Sequence, residues 1–331
     1  LYHRTCAATG KNIITMFAPE QPFVVYDRDY WWSDAWDQFA SGREYDFSRP
    51  FFIQFRELLE KAPLPNLALS NVVNSEYGNH NHDAKNCYLV YASLNNEDIA
   101  YSAGAVNCKN SLDLYKTANI TQGYDDVLCG DLNRVFFSYD SDESVNAMFL
   151  HACKNVSDSL ACINLRSKSY HIFNQPYSKE EFLKERMKYD FGSHAALSEF
   201  REKFREFIQR YPRRHGFVQK SLNTIGDNVL NAKNVYMGFD LFGGVEDSKY
   251  VIHGADGARG VYDAYGIGRN LSEAYEVVDA GADAAVTLFS VFVRSCRNVR
   301  YAYASQNVQD VFGCVGLRNK RYCILNKQYT K

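Results

Sequence analysis

A duplication at a fixed offset constrains the fold of this chain more than any other sequence feature. Residues 153–179 align without a gap on residues 305–331, and twelve of the 27 paired positions are identical. The identical residues of the first copy are Asn155, Val156, Asp158, Cys162, Leu165, Arg166, Lys168, Tyr170, Ile172, Asn174, Tyr177 and Lys179, and each recurs 152 positions later. The chain therefore contains two copies of one module. We expect Arg166 and Arg318, and likewise Tyr170 and Tyr322, to occupy equivalent positions.

Each copy belongs to an array with a shorter repeat, marked by asparagine. Asn86, Asn110, Asn133 and Asn155 lie 24, 23 and 22 residues apart, and Asn234, Asn298 and Asn307 mark a second array. Asparagine at a repeated turn tolerates left-handed backbone, and we expect its side chain to bridge to the backbone amide of the next coil. A period in the low twenties, with β-branched and aromatic residues between the marks, predicts the stacked coils of a β-solenoid.

The predicted fold class is mainly β: two tandem β-solenoid (β-helix-like) modules, an α-helical insert and a small aromatic-rich α+β N-terminal region. The predicted boundaries are 1–65 for the N-terminal cap region, 66–177 for the first solenoid, 178–216 for the helical connector and 217–331 for the second solenoid. Apolar residues at helical spacing predict a helix that runs from an N-cap at Ser48 to Lys61. Ser178 and Glu181 form a capping-box pattern at the start of the connector.

The end of a solenoid has unpaired backbone groups that need a cover. We expect the helices of 179–211 to cover the lower end of the first solenoid, and the 1–65 region to cover its upper end near residues 77–91. The chain begins at Leu1 and stops at Lys331, where the same capping box would start again. We therefore interpret it as a fragment whose second solenoid has a last rung that is bare or paired with another chain.

Composition restricts the class of protein. Lys+Arg number 37 against 39 Asp+Glu, for a formal charge of −2, and a general polyanion binder would carry a large positive excess. No apolar run approaches the ~20 residues that span a bilayer, so we expect no membrane insertion. The nine cysteines include no C-x-x-C pair. We interpret them as buried thiols in a reducing compartment, which predicts a cytoplasmic location.

Three segments resemble a known family. They are Trp31-Trp32-Ser33-Asp34, the stretch from Tyr45 to Phe52, and the module end from Cys314 to Lys320. The chain resembles, over its whole length, a family of uncharacterised Cys-rich β-solenoid proteins common in metagenomic candidate-phyla bacteria. In those relatives the arrays are richer in Cys, and a zinc-ribbon-like segment lies upstream. This sequence has Tyr, Val, Ala or Ser at many of those Cys positions and lacks the upstream segment, so the resemblance supports the architecture and implies no activity.

Two groups of residues are candidates for interaction. Trp31, Trp32 and Trp36 could stack on a base or a sugar, or dock the N-terminal region onto a neighbour. Arg210, Arg213 and Arg214 close the connector helix, where they could complement the helix dipole or bind an anionic partner.

Motifs that would indicate catalysis are weak. Asp125-Asp126 and the group Asp140, Asp142 and Glu143 could form a glycan-cleaving site, although solenoid turns are ordinarily rich in Asp. The segment 79–83 has two histidines and an aspartate, and could bind a metal or form a polar loop over the first coil.

We therefore predict a non-catalytic structural or interaction scaffold, with a protein partner or self-association. The alternatives are a nucleic-acid-associated protein and a carbohydrate-active β-helix enzyme. We expect no cofactor and no metal in this chain, with zinc confined to an upstream segment.

Overall fold

The structure, a computed structural model, describes residues 1–103, 111–112 and 132–331, with 111–112 described by their backbone alone. The described helices are α1 (Arg28–Trp32), α2 (Phe51–Lys61), α3 (Lys179–Arg186) and α4 (His194–Ile208). The strands before α3 are β1 (Tyr2–Thr5), β2 (Asn12–Thr15), β3 (Val25–Tyr26), β4 (Leu64–Pro65), β5 (Leu69–Ser70), β6 (Gly78–Lys85), β7 (Val90–Glu97), β8 (Ile99–Ala100), β9 (Ser111–Leu112), β10 (Leu132–Asn133), β11 (Phe136–Tyr139), β12 (Ser144–His151), β13 (Lys154–Ile163), β14 (Arg166–Ser169), β15 (His171–Ile172) and β16 (Gln175–Pro176). The strands after α4 are β17 (Val218–Gln219), β18 (Leu222–Leu230), β19 (Lys233–Phe242), β20 (Glu246–Ala255), β21 (Arg259–Gly268), β22 (Ser272–Gly281), β23 (Ala285–Arg294), β24 (Arg297–Arg300), β25 (Tyr303–Gln306), β26 (Gln309–Phe312), β27 (Arg321–Ile324) and β28 (Lys327–Gln328). The protein is a β-solenoid with 49% strand and 13% helix, which confirms the predicted fold class.

The coil is half as long as the sequence repeat predicts. Consecutive rungs pair in parallel at an offset of 12 residues, as in Leu69↔Asn81, Gly78↔Val90 and Leu132↔Ser144. The predicted period in the low twenties is therefore wrong, because it is close to the length of two coils.

A three-residue step generates this short coil. Inward-facing buried residues occur at every third position, namely Ser75, Gly78, Asn81, Ala84, Cys87, Val90, Ser93, Asn96, Ile99 and Ser102. The residue before an inward one turns the chain in the left-handed conformation. This is the case at His80, Asp83, Asn86, Leu89, Ala92, Asn95, Asp98 and Tyr101, with φ between 52° and 59°. Four such steps close one turn of 12 residues.

The second solenoid has a wider coil at its centre. Rungs there pair at an offset of 13, as in Val235↔Ser248 and Val261↔Ala274. The extra residue sits at one corner, where two consecutive residues have positive φ: Gly243-Gly244, Asp256-Gly257, Arg269-Asn270 and Ala282-Asp283. Gly, Asp and Asn adopt this conformation at low cost.

The narrow interior is filled by small side chains, chiefly Val, Ala, Ser, Gly and Cys. Inward serines bond to the backbone of two coils at once. Ser141 Oγ donates to the Tyr139 carbonyl at 3.1 Å and accepts from the Cys153 amide of the next coil at 3.2 Å. Inward cysteines likewise donate to the carbonyl two residues before them, as the Cys153 thiol does to the His151 carbonyl. Each coil is thereby joined to the next from inside as well as along the strands.

The duplicated segments have the same backbone. Positive φ occurs at 155, 158, 161, 164, 167, 170, 173 and 174, and at each position 152 residues later. Tyr170 and Tyr322 have φ of 56° and 57°, and their carbonyls accept from the amides of Tyr177 and Tyr329 at 2.9 and 2.8 Å. The predicted equivalence of the two copies is confirmed.

An asparagine side chain ends both copies. The Asn174 side-chain amide accepts from the Ile163 N–H at 2.9 Å and donates to the Ile163 carbonyl at 3.0 Å. Asn326 does the same with Val315, at 2.8 and 2.7 Å. Each amide thus satisfies one backbone position of the rung before it, in place of a further strand.

The chain divides into two compact units. One contains residues 1–3, 14–16 and 67–213, and the other contains 4–13, 17–66 and 214–331. Most of the N-terminal region thus belongs with the second solenoid. The prediction that it covers the upper end of the first solenoid near 77–91 is wrong for residues 17–66.

Each unit has a helix against the same face of its last coils. In the first unit, Phe200 of α4 packs on Phe149 at 4.8 Å between ring centroids, and Phe149 stacks on Phe137 of the previous coil at 4.8 Å. The expectation that 179–211 packs on this module is correct, but the expectation that it covers the lower end is wrong for α4, which packs on the side of several coils rather than on the last edge.

In the second unit, Phe51 of α2 lies 4.9 Å from Tyr301, which stacks on Phe289 at 4.7 Å. Tyr301 and Phe289 lie 152 positions after Phe149 and Phe137. Helix α2 therefore has the place on the second solenoid that α4 has on the first, and the last coil there is covered by this chain rather than bare.

The turn before each helix is also repeated, a signal that the sequence analysis missed. Tyr45-Asp46-Phe47 recurs as Tyr189-Asp190-Phe191. In both copies the aspartate accepts from the amide two residues on, at 2.9 Å, from Ser48 and from Gly192.

One of the two predicted helix starts is confirmed, and the other is wrong. Helix α3 begins at the predicted capping box of Ser178 and Glu181, which is fully formed. The predicted N-cap at Ser48 is wrong, since Pro50 precedes α2 and supplies no side-chain bond. The buried Gln54 side chain instead accepts from the Asp46 amide and donates to the carbonyls of Asp46 and Arg49.

Within the described residues, no helix combines the length and the apolar character that crossing a bilayer requires.

Candidate functional site

The asparagine marks lie at left-handed corners and form hydrogen-bonded columns. Asn86 Nδ2 donates to Asp98 at the same corner of the next coil, 2.9 Å away, and Asn86 itself accepts from Asn74. The corresponding bonds in the other coils are Asn155 to Ser167, Asn234 to Asp247, Asn298 to Asp310 and Asn307 to Asn319. The bridge therefore joins side chain to side chain, and not side chain to backbone amide as we predict from sequence. These residues stabilise the stack of coils.

One of the predicted marks, Asn133, does not share this role. Asn133 lies in β10 opposite Val145, and Arg134 has the left-handed position beside it, with φ of 51°. The interpretation of Asn133 as a corner residue is therefore wrong by one position. Asn110 lies outside the described residues.

Three tryptophans surround one buried arginine. The Arg318 guanidinium carbon lies 4.9 Å from the Trp31 ring centroid, 5.5 Å from Trp32 and 5.6 Å from Trp36. Arg318 is 7% exposed, and burial lowers its pKa from the usual value. One guanidinium nitrogen donates to the Ser33 carbonyl at 3.0 Å.

The indoles are fixed by bonds of their own. Trp31 Nε1 donates to the Pro63 carbonyl at 2.9 Å, and Trp36 Nε1 donates to the Trp31 carbonyl at 2.8 Å. Trp31 is 2% exposed, whereas Trp32 is 47% exposed. Of the predicted tryptophan candidates, Trp31 is enclosed within the chain and Trp32 presents nearly half of its surface to solvent.

The same segment holds the last rung of the second solenoid at further points. The Arg318 amide donates to Gln38 Oε1 at 2.7 Å, and Asn326 Nδ2 donates to the Gln38 carbonyl at 3.4 Å. The Lys320 ammonium lies 4.9 Å from the Phe39 ring centroid. Residues 31–39 therefore bind the duplicated surface through aromatic rings and peptide groups.

The first copy of this surface is uncovered. Arg166, the counterpart of Arg318, is exposed, and so are Asn164 and Lys168. Within the described strands, β14 pairs with β13 alone, so its other edge is open.

The basic residues that follow α4 are spread along an exposed segment. Arg210, Arg213 and Arg214 are all exposed. Burial and the charge of Arg213 together lower the pKa of His151. The Arg214 guanidinium lies 5.8 Å from the Phe217 ring centroid.

One outward column of the second solenoid is rich in large apolar side chains. Paired positions of consecutive rungs bring Ile225, Tyr236, Lys249, Tyr262, Tyr275 and Leu288 into line. Of these, Ile225 is 58% exposed, Tyr236 46%, Tyr262 41% and Tyr275 38%. We call this line the aromatic column.

The described candidate residues for catalysis and metal binding take part in contacts that hold the coils of the solenoid together. Lys154 lies 3.4 Å from Asp142 and 2.9 Å from Glu143, so an ion pair between coils holds both carboxylates. Asp125 and Asp126 lie outside the described residues. Residues 79–83 lie in β6, between β5 and β7, and are not a capping loop.

The described cysteines Cys6, Cys87, Cys153, Cys162, Cys296, Cys314 and Cys323 are buried free thiols. Burial raises the pKa of Cys162 and of Cys314 to about 12. Among the described residues, no three His, Cys, Asp or Glu side chains are grouped so that they could hold a metal ion.

Comparison with known proteins adds little. No family model and no curated protein match the chain. Among solved structures, a protein described as an acetyltransferase from Desulfovibrio desulfuricans G20 is 12% identical, with a TM-score of 0.15. The match covers 76% of this chain and 65% of that protein. At that TM-score it supports no inference about fold or activity.

Proposed function

We propose that this chain is a non-catalytic structural or interaction scaffold that binds another protein, or a second copy of itself, through its outward columns. The observation that supports this is the aromatic column, a line of half-exposed tyrosines on rigid backbone. Tyrosine is enriched in protein interfaces because it buries a large area at little conformational cost. Large exposed apolar side chains grouped in this way on a folded surface are typical of an interaction site.

The interior of the solenoid agrees with a scaffold role. Its serine and cysteine side chains form hydrogen bonds with the backbone of their own and neighbouring coils. We further propose a reducing, cytoplasmic location, in keeping with thiols that are buried and protonated.

The test is the state of association of the purified chain and of a Tyr262→Ser/Tyr275→Ser double variant. Light scattering at tens of micromolar measures self-association, and affinity capture from the source cells measures a stable partner. We expect the wild type to associate and the double variant to lose that association without a change in melting temperature.

Tyr139→Ser is the matched control, since Tyr139 is 46% exposed on the other unit and stacks on His151. A wild type that stays monomeric and recovers no partner contradicts the scaffold proposal. A double variant that associates as the wild type does shows that the aromatic column is not the contact.

A further inference from the structure

The duplication gives the molecule two copies of one docking surface, and among the described residues a segment of the chain covers the second copy and leaves the first exposed. We define the Arg166 face as Asn164, Arg166, Lys168, Asn174 and the carbonyl of Pro212. Its counterparts in the second copy are Gly316, Arg318, Lys320, Asn326 and the carbonyl of Pro63. Four of these five counterparts touch residues 31–39 through their side chain, their backbone or both. The fifth, Gly316, lies against Trp31.

The two prolines have the same place relative to their solenoids. A side-chain atom added at Gly316 would lie 3.0 Å from the Pro63 carbonyl. In the first copy, Asn164 Nδ2 donates to the Pro212 carbonyl at 3.1 Å. Each proline follows the helix that packs on its own unit, α2 or α4. The Pro212 carbonyl thus lies beside the Asn164 corner, as the Pro63 carbonyl lies beside Gly316. A carbonyl oxygen has two lone pairs, so the Pro212 oxygen can accept from an indole N–H as well as from Asn164.

The Asn164 corner matches the Gly316 corner in its backbone. The residue is left-handed in both copies, with φ of 59° at Asn164 and 68° at Gly316. A Cβ at Gly316 would lie 3.8 Å from the nearest Trp31 ring carbon, an ordinary van der Waals distance. A Cβ at this corner therefore does not by itself exclude an indole ring, and the Asn164 amide is directed to the Pro212 carbonyl.

We propose that the Arg166 face binds a tryptophan-rich segment of a partner protein, with the chemistry that residues 31–39 present to Arg318. This rests on the proposed scaffold function and names the kind of partner. The segment in this chain is already engaged by Arg318, with Trp31 buried, so the occupant is a separate chain. Recognition requires an indole over the Arg166 guanidinium, an indole N–H to the Pro212 carbonyl and a peptide carbonyl facing Asn174. Arginine stacks favourably on indole, and the contact strengthens as both groups leave water.

The probe is a labelled synthetic peptide of residues 28–44, titrated into the full chain and followed by fluorescence anisotropy. We expect saturable binding at one site per chain. Arg166→Ala should weaken binding by about tenfold or more, as the loss of a desolvated arginine–indole contact predicts. A peptide with alanine at positions 31, 32 and 36 should not bind.

Arg134→Ala is the matched control, because Arg134 is an exposed arginine of the same solenoid outside this face; it should bind as the wild type does. Both variants replace exposed side chains, and equal melting temperatures verify their folding. A peptide that fails to bind the wild type overturns the proposal, and so does equal binding to wild type and Arg166→Ala, which would mean that the peptide displaces residues 31–39 from Arg318. The Tyr262→Ser/Tyr275→Ser variant should bind the peptide normally, so failure of the aromatic column and failure of the Arg166 face are distinguishable.

Discussion

At the scale of single residues, serine and cysteine do the same work inside this solenoid. Cys153 and Ser305 are equivalent positions of the duplication, and each donates to the carbonyl two residues before it. A thiol and a hydroxyl differ little in size, so either fits the inward position. A serine can therefore replace a cysteine at an inward position and keep the bond to the backbone.

We predict that Cys314→Ser leaves the unfolding free energy nearly unchanged at neutral pH and reduces its loss at alkaline pH. The pKa of buried Cys314 is raised from 9.0 to about 12, so above pH 9 the unfolded chain loses this proton while the folded chain keeps it. Stability is therefore complete below about pH 9 and falls as pH rises towards 12, by about 2 kcal/mol at pH 10.5 for this one thiol. Urea unfolding of both proteins at pH 7 and pH 10.5 measures the effect. An equal alkaline loss in the variant contradicts it.

A second residue-scale prediction concerns Val286, a β-branched residue with φ of 51°. This backbone conformation is costly for valine and mild for asparagine. Residue 286 lies one coil before Asn298, which already donates to Asp310 at 2.6 Å. Val286→Asn should extend that column and raise the unfolding free energy by roughly 1 kcal/mol. Val286→Ala is the control without the bond, and the hypothesis fails if it stabilises as much as asparagine.

The role of asparagine was predictable from sequence, whereas the three-residue step was not. Asparagine is favoured at a left-handed corner, so its repeats identify some corners even though other corners hold other residues. The inward positions mix apolar Val, Ala, Leu and Cys with polar Ser and Asn, so they share no common hydrophobicity. A search for apolar periodicity therefore passes over them.

At the scale of elements, the apolar faces of α2 and α4 are read correctly from the sequence, whereas the partner of α2 is not. Phe200, Phe204 and Phe207 recur at helical spacing and pack as that spacing indicates. The start of α2 is misread because a buried glutamine one turn inside the helix, Gln54, does the work of a cap.

We predict that Gly313→Ala lowers the unfolding free energy by weakening the packing of α2 on the second solenoid. A Cβ at Gly313 would lie 2.8 Å from the Phe51 ring, and φ there is 62°. The equivalent residue on the first solenoid is Ala161, which shows that the corner itself accepts a methyl group. We expect a loss of about 2 kcal/mol from the clash and the strain together.

Gly10→Ala separates these two causes, since Gly10 has φ of 71° and open space around it. Chemical denaturation of both variants gives the comparison. Equal losses would mean that α2 does not pack on this corner as described.

At the scale of the whole molecule, sequence order does not show which element covers which coil. Helix α2 comes before the first solenoid and packs on the second, a contact between Phe51 and Tyr301 across 250 residues. Only the repeat of Tyr-Asp-Phe before both helices could have indicated that α2 and α4 are equivalent. The candidate tryptophans were identifiable by type, but their partner Arg318 lies too far along the chain for spacing to reveal it.

We predict that Trp31→Ala releases the N-terminal region while residues 67–213 stay folded. Trp31 contributes the 2.9 Å bond to Pro63 and the ring nearest Arg318, and its loss should cost roughly 3–5 kcal/mol. Limited proteolysis should then cut first within 17–66. Trp32→Ala is the control, because Trp32 is 47% exposed and its removal should leave the cleavage pattern unchanged. Identical fragments from Trp31→Ala and wild type would contradict the prediction.

The three-residue step also determines which changes of length the gene can tolerate. Loss or gain of 36 nucleotides removes or adds one 12-residue coil and leaves every inward residue inward. Loss of a single codon within a strand moves the small residues outward and the large ones inward for the rest of that coil. The exception is the corner with two left-handed residues, where the 13-residue coils already show that one extra codon is absorbed. Homologous genes should therefore differ in length by whole coils, with single-codon differences concentrated at that corner.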